Sequence, residues 1–558
     1  MKLLYNLRWL FILSFFAQML SCSKEHDMPE NDDLSVAFSS TTGEYKVKTG
    51  KTVTLSASVT DAIHPVYSWK LDGKIISTDT TCLFNGDKTG EYFLTFQVDA
   101  ENGSVEKQVK VSVLEKLPPE IDMTAAIIAW AGQDTKLTAN VKYADSASYA
   151  WRLNGNIVSS DSNYILNQTA LGTNTLTLKV TTEDGEDLKV FTVTVLPLPV
   201  PQLFFDDGHY RVTSNEDHHR KMTVPLGKSL VLAPVISNIA NPITFEWTVD
   251  GAVQTATDEY LNFTPAAKGS YTITVTEKST SARATVQVEC VAPEGTYFRP
   301  KVAGDKASAA NGFDFVPAPG QFINYQIGST KAKALQDLQT ALDNTSAPYI
   351  GAYGGYFIVG FDHSVNNVEG KADLRIDGNA FAGWNEPGIV WVMQDENGNG
   401  LPDDTWYELK GSETGKSGTK ERYAITYYRP TAPNSDVLWT DNFGNTGTVD
   451  YNGYHSQQYY FPMFITESSY TLTGTRLAST FVVENGVDGS LGYPWGYVDN
   501  VGDGSKVSFW IEDAIKADGT PANLKYIDFV KVHTAMIGQG AAVGEISTEA
   551  GVPIDLNF

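Results

Sequence analysis

The chain has 558 residues, a formal net charge of -25 and only three cysteines. That length implies roughly three to five domains. The acidic balance excludes a nucleic-acid partner, because a phosphate backbone would be repelled, and so few cysteines exclude a disulfide framework.

The first predicted element is a leader over residues 1–21. Lys2 and Arg8 supply its positive start, and Trp9 to Leu20 form an apolar stretch too short to span a bilayer as a mature helix. It ends in Met19-Leu20-Ser21-Cys22, which resembles the lipobox of bacterial lipoproteins. That resemblance implies an acylated Cys22 and a lipid anchor in the outer membrane. Residues 22–33 are a polar, acidic tether, similar to the surface-export signal of Bacteroidetes lipoproteins, which implies display on the cell surface.

Three repeats follow, at 34–116, 117–198 and 199–294. Each carries a Trp-x-Leu/Val-Asp/Asn-Gly motif: Trp69 to Gly73, Trp151 to Gly155 and Trp247 to Gly251. Alternating strands precede and follow each motif. Alternation buries one strand face, the Trp fills the space between two sheets, and Asp/Asn-Gly makes the hairpin turn. These units resemble PKD-like, immunoglobulin-type β-sandwiches. Pro-rich junctions at Leu117 to Pro119, Pro197 to Pro201 and Pro293 separate them. In series they read as a stalk on the order of 100 Å long. Cys82 and Cys290 fall in different repeats and read as small buried hydrophobes. Asp217-His218-His219 in the third repeat offers two imidazoles, but reads as a solvated hairpin tip.

From 295 to 558 the repeat pattern stops, and six of the eleven tryptophans lie here. A helix is predicted over Lys331 to Leu342, with Ser329 or Thr330 as N-cap and Leu335, Leu338 and Leu342 on one face. The rest reads as strand and turn. The fold class is therefore all-β: three tandem sandwiches, then a larger jelly-roll-like domain with one short helix. There is no Gly-x-Ser-x-Gly, no His-Glu-x-x-His and no P-loop, so the chain reads as a non-enzyme, with a glycosidase pair among its many carboxylates, most of them in turns, as the remaining catalytic alternative.

Within this domain the run Gly383 to Gly411 predicts two strands joined by an acidic loop. Asp395, Asn397 and Asn399 place side-chain oxygens at positions one, three and five. Gly400 falls at the sharp turn, the carbonyl of Leu401 at seven and Asp403 at nine. Trp406 occupies position twelve, where a full EF-hand has Glu, and Asp404 is the candidate substitute. The spacing predicts a calcium loop of the weak extracellular kind; an Asx-rich turn without metal is the alternative.

Other loops are aromatic and amide-rich. Trp384, Trp439, Asn442, Tyr454, His455, Gln457, Tyr460, Trp495 and Tyr497 are the candidate ligand-binding residues. Rings with amide neighbours suit a bulky ligand with an apolar body and a polar rim, such as a sugar or a corrinoid.

Pro317 to Asn324, Gly354 to Asp362, Gly378 to Phe381, Glu386 to Asp395, Trp439 to Asn442 and Tyr454 to Gln457 together resemble a family of Bacteroidetes cell-surface proteins. That family is similar to surface-exposed vitamin B12-binding lipoproteins. The resemblance implies capture of cobalamin and its transfer to an outer-membrane TonB-dependent transporter. The site residues are inferred from their chemistry. His455 is the candidate axial ligand to cobalt; His363 is weaker, and His533 reads as structural. A calcium-stabilised glycan-binding or adhesion protein is the alternative function.

Overall fold

The computed structural model describes residues 34–40, 43–60, 62–212, 221–239, 243–326, 328–381, 383–453, 457–484, 487–500, 506–540 and 543–558. The leader, Cys22, the tether and the Asp217-His218-His219 run lie outside them. The chain divides into two compact units, the second beginning at Lys116.

The first unit is the first repeat. Its larger sheet runs Glu44–Lys48, Gly103–Leu114, Gly90–Ala100, Val66–Leu71, Lys74–Ser77, and a smaller sheet of Ser35–Phe38, Thr52–Thr60 and Thr81–Asn85 forms separately. Trp69 is fully buried, with its ring 4.9 Å from that of Phe96. Asp72 and Gly73 both take positive φ, 49° and 76°, as a two-residue turn between right-twisted strands requires.

The second unit opens with two further repeats of the same plan. Their five-stranded sheets run Ala126–Trp130, Gly185–Leu196, Gly172–Thr182, Ser148–Leu153, Asn156–Ser159 and Lys221–Pro225, Arg283–Val291, Gly269–Glu277, Phe245–Val249, Ala252–Val253. In each of the three repeats the first strand of this sheet pairs in parallel with the last. Trp151 and Trp247 are fully buried and donate to the Asp161 and Asp258 carbonyls at 3.1 and 3.0 Å. Cys82 and Cys290 are buried free thiols.

The C-terminal domain is built on a six-stranded antiparallel sheet: Asn311–Val316, Tyr356–Asn366, Tyr526–Thr534, Gly388–Met393, Trp406–Leu409, Ala514–Ile515. All nine residues of Tyr526–Thr534 are buried, because both sheet faces are covered. On one face Val390, Val392, Val530 and Val532 pack with the helix and with strand Leu374–Asp377. On the other, Tyr356 and Ile358 meet Tyr423, Ile425 and Leu472 of a second sheet, ordered Thr446–Val449, Val437–Asp441, Lys420–Tyr428, Ser469–Arg476. The helix spans Lys331–Asp343, capped by Thr330, whose side chain accepts from the Lys333 amide. Its buried face is Ala334, Leu338 and Leu342; Leu335 points only partly inward, because the helix docks through the narrower i, i+4, i+8 row. No helix among the described residues is long and apolar enough to cross a membrane.

The third repeat is bonded to this domain through side chains. Thr405 Oγ1 donates to the Thr223 carbonyl at 2.7 Å, Lys531 Nζ to the Gly208 carbonyl at 2.6 Å, and Arg422 pairs with Glu259 at 2.8 Å. Arg211 and Thr471 exchange backbone hydrogen bonds at 2.9 and 2.8 Å. The Thr405 and Lys531 bonds are buried, and those of Lys531 and Arg422 are charge-assisted, so together they hold the third repeat and this domain in one register.

Candidate functional site

The acidic loop is where its spacing placed it, between strands Gly388–Met393 and Trp406–Leu409. Asp395 is buried at its root. Its carboxylate accepts the Gly398, Asn399 and Gly400 amides at 2.8, 3.1 and 3.0 Å, and its own amide donates to Asp528 at 2.8 Å. Gly400 takes φ +74°, as the sharp turn requires. Asn397 Nδ2 donates to Asp403 and Asp404 at 3.0 and 2.8 Å, and Asn399 Nδ2 to both oxygens of Asp403 at 3.0 Å. Leu401 and Asp403 are exposed; Asp404 is buried. Burial pushes the Asp404 carboxyl up to about 7 and that of its neighbour Glu396 to about 8. The donor set is all oxygen, as a hard cation needs. The Asn397 and Asn399 side-chain oxygens accept the Asn399 and Leu401 amides at 2.9 and 2.7 Å, as in Asx turns, so it is the Asp403 and Asp404 carboxylates that are left to face a cation.

The aromatic and amide candidates stand in three neighbourhoods. Trp439 is half-buried, its ring lying over Gly447 across the strand pair. Asn442, nearby, accepts the Ala424 amide and donates to the Ile236 carbonyl of the third repeat, each at 3.0 Å. Gln457 and Tyr460 form a second group. Gln457 Nε2 donates to the Gly320 carbonyl at 2.9 Å, and the Tyr460 hydroxyl bonds the Asn452 backbone. Tyr454 and His455 lie outside the described residues. Trp384, Trp495 and Tyr497 form the third. Trp384 packs edge-on to Phe481 at 6.4 Å, Trp495 is 47% exposed, and buried Tyr497 accepts the Glu413 amide at 3.0 Å. A buried tyrosine must bond its hydroxyl, and here Tyr460 and Tyr497 both do so inside the fold.

Between the second and third neighbourhoods lies a polar cluster that residue spacing did not reveal. Gln321 donates its backbone amide to Glu545 Oε1 at 2.9 Å, and its side chain accepts from Asn452 at 3.3 Å. Carboxylate oxygens of Glu386, Asp499 and Glu549 lie within 4.8 Å of one another, the trio of that kind among the described residues. Glu386 Oε1 accepts the Ser547 amide at 2.9 Å. Asp499 accepts the Asn379 and Ala380 amides at 2.9 and 2.8 Å, and that of Glu549 at 3.0 Å. No ion pair reaches these acids among the described residues. Burial pushes Glu545 up to about 8 and Asp499 to about 6. Burial and then the Asp499 charge raise Glu386, and burial and then the charges of Glu386 and Asp499 raise Glu549. Near neutral pH Glu545 and Glu549 hold their protons and can donate to carbonyl oxygens, Asp499 is largely ionised, and the group can give up its protons to a divalent cation. The residues come from five distant segments, and the sequence pointed only to Gln321 and Glu386, as members of segments that carry the resemblance.

The Trp-centred sandwiches, with positive φ at both turn residues, decide the relationship of the repeats. Residues 35–100 and 118–182 match the PKD-like domain family. The third repeat has the same strand order as these PKD-like domains. A comparison with curated proteins finds no match. Among solved structures, fibronectin(III)-like modules of Clostridium thermocellum CbhA are 19% identical, with 29% of this chain and 95% of theirs covered and a TM-score of 0.17. Domains 3–5 of Drosophila OTK are 14% identical over 44% of this chain and 94% of theirs, with a TM-score of 0.17. Tandem immunoglobulin domains of titin are 13% identical over 29% and 97%, with a TM-score of 0.15. Nothing further rests on likenesses at that level.

Proposed function

We propose that this chain is a non-catalytic surface lipoprotein, anchored through Cys22, whose PKD-like repeats carry a domain that captures cobalamin for an outer-membrane TonB-dependent transporter. The observation that carries this reading is the amide-and-acid cluster. Two of its residues lie in segments that bear the family resemblance, Gln321 in Pro317 to Asn324 and Glu386 in Glu386 to Asp395, and Gln457, bonded to the Gly320 carbonyl beside it, lies in a third, Tyr454 to Gln457. A corrinoid is a flat ring fringed with amide arms. Gln and Asn side chains pair with primary amides, and protonated carboxyls donate to their oxygens. His455 falls in the chain between Asn452 and Gln457, a position that suits an axial ligand to cobalt. Three partly open cavities among the described residues have volumes of about 140 to 300 Å³, at or below the lower end of ligand pockets. A guest as large as a corrinoid would therefore lie against an open face rather than within one of them.

The test is calorimetric titration of the chain with cyanocobalamin, read together with the visible absorbance of the complex. Saturable binding at micromolar concentration, weakened by Gln457→Ala, is expected. No heat and a colourless protein would remove the reading. The exposed aromatic side chains Phe381, Phe443 and Trp495 favour a second reading, a calcium-stabilised glycan-binding or adhesion protein. Glycan-array binding without corrinoid binding would support that one instead.

A further inference from the structure

A pocket of the C-terminal domain lies where strand Lys420–Tyr428 ends. Arg429 follows that strand, with its backbone amide bonded to the Ser468 carbonyl at 2.8 Å. The chain then turns at Pro430 into one wall, within residues 430–435, and residues 458–463 supply the other. The walls are tied together, because the Asn434 amide donates to the Gln458 carbonyl at 2.8 Å. Asn324 pins the second wall, its Nδ2 donating to the Tyr459 and Phe461 carbonyls at 2.6 and 3.1 Å. The pocket between them has a volume of about 170 Å³.

Its walls are largely apolar and carry one charge, that of Arg429; no Asp or Glu is among the lining residues. The guanidinium lies over the Phe461 ring, 4.5 Å from its centre, and its Nε donates to the Glu467 carbonyl at 3.1 Å. Those two contacts fix the plane of the fork. Its Nη2 is buried and finds no acceptor among the described residues. Glu467 is the acid whose charge reaches this guanidinium, yet its carboxylate forms no ion pair with it among the described residues. A buried donor without an acceptor is uncommon, since water no longer replaces the missing bond. At the mouth Tyr459 and Met463 are 47% and 48% exposed.

These features select a guest. An unbonded guanidinium N–H calls for an oxygen acceptor, and its charge favours an anionic one. A single negative charge balances Arg429, whereas a dianion would carry a surplus charge in among apolar walls close to Glu467. The rest of the lining asks for apolar surface, and a cavity of about 150 Å³ is known to admit benzene. We propose that this pocket binds a small aromatic carboxylate, with its carboxylate on Arg429 and a single ring against Phe461, Tyr459 and Met463. Gln321, Glu386, Asp499, Glu545 and Glu549 take no part in the lining, so failure here leaves the cobalamin reading untouched.

The experiment titrates the whole chain with sodium benzoate, benzamide and benzylamine in turn, read by ligand-observed NMR. Benzoate is expected to bind saturably in the millimolar range, benzamide about tenfold more weakly and benzylamine not at all. Arg429→Gln should weaken benzoate about tenfold, the effect of losing a charge-assisted hydrogen bond. Met463→Glu, at an exposed position, should weaken it about fivefold by placing a like charge at the mouth; this variant decides alone if Arg429→Gln does not fold. No saturable benzoate binding up to about 20 mM, beyond the range of millimolar affinities, overturns the proposal. So does benzamide or benzylamine binding as tightly as benzoate, or benzoate binding that the folded variants leave unchanged.

Discussion

Thr223 Oγ1 donates to Glu396 Oε2 at 2.6 Å across the seam between the third repeat and the C-terminal domain, and both residues are buried. Thr405 Oγ1 in turn donates to the Thr223 carbonyl. A spacer repeat would not bury its neighbour's carboxyl against itself, so the third repeat and the C-terminal domain share one packed body.

Thr223→Val should remove the donor and leave the Glu396 carboxyl buried without it. The expected loss is about 1–3 kcal/mol, read as a lower urea midpoint at unchanged slope. The third repeat and the C-terminal domain should unfold in one transition. Two separated transitions in the unaltered protein would contradict the shared seam.

Stability should fall as pH rises from about 5 to about 8. Glu408 and Glu545 are raised from 4.5 to about 7 and about 8 by burial. The folded state therefore holds protons that the unfolded state has released in this window. Their contribution is complete below 4.5 and is lost as pH passes the folded values. A tenfold difference in proton affinity between the folded and unfolded states corresponds to about 1.4 kcal/mol. Differential scanning calorimetry should give a lower Tm at pH 8 than at pH 5, and Glu545→Gln should flatten the slope. A Tm that climbs over this range would be the contrary result.

Calcium should stabilise the domain through the Asp395 loop. Calcium at about a hundredfold its dissociation constant adds about 2.7 kcal/mol. EDTA should lower the Tm of the intact chain, and Asp395→Asn should abolish the difference. Equal midpoints with calcium and with EDTA would reduce the loop to an Asx-rich turn.

Trp151→Ala should cost about 3–5 kcal/mol, the usual loss on truncating a fully buried aromatic side chain. Limited proteolysis should then cut the second repeat first while the C-terminal domain survives. Cleavage spread evenly along the chain would show that the repeat does not fold around this ring.

The helix and the acidic loop were legible because their signals are local. Thr330 precedes the apolar row of Lys331–Asp343, and Asp395 to Gly400 carries its turn residues at fixed offsets. The candidate binding residues were less so. Trp439 and Tyr460 pack into one apolar cluster of the domain, whereas Trp495, of the same chemistry, stands outside it and is exposed. Composition reports what side chains are present, and only register reports which of them face the same space. Asn442 illustrates this: its amide tethers a strand of the third repeat instead of lining an opening.

The amino-acid order by itself determined the repeats, their buried tryptophans and their turns, because each unit closes over residues near in the chain. Alternation along a strand selects its buried face, and Asp/Asn-Gly selects the turn, without help from distant segments. Tertiary structure alone decided that Glu386, Asp499 and Glu549 meet, and that Lys531, Trp391 and Glu408 form one row. Those encounters depend on which strands become neighbours in a sheet. That pairing is won by burial over the whole domain, which no short stretch encodes.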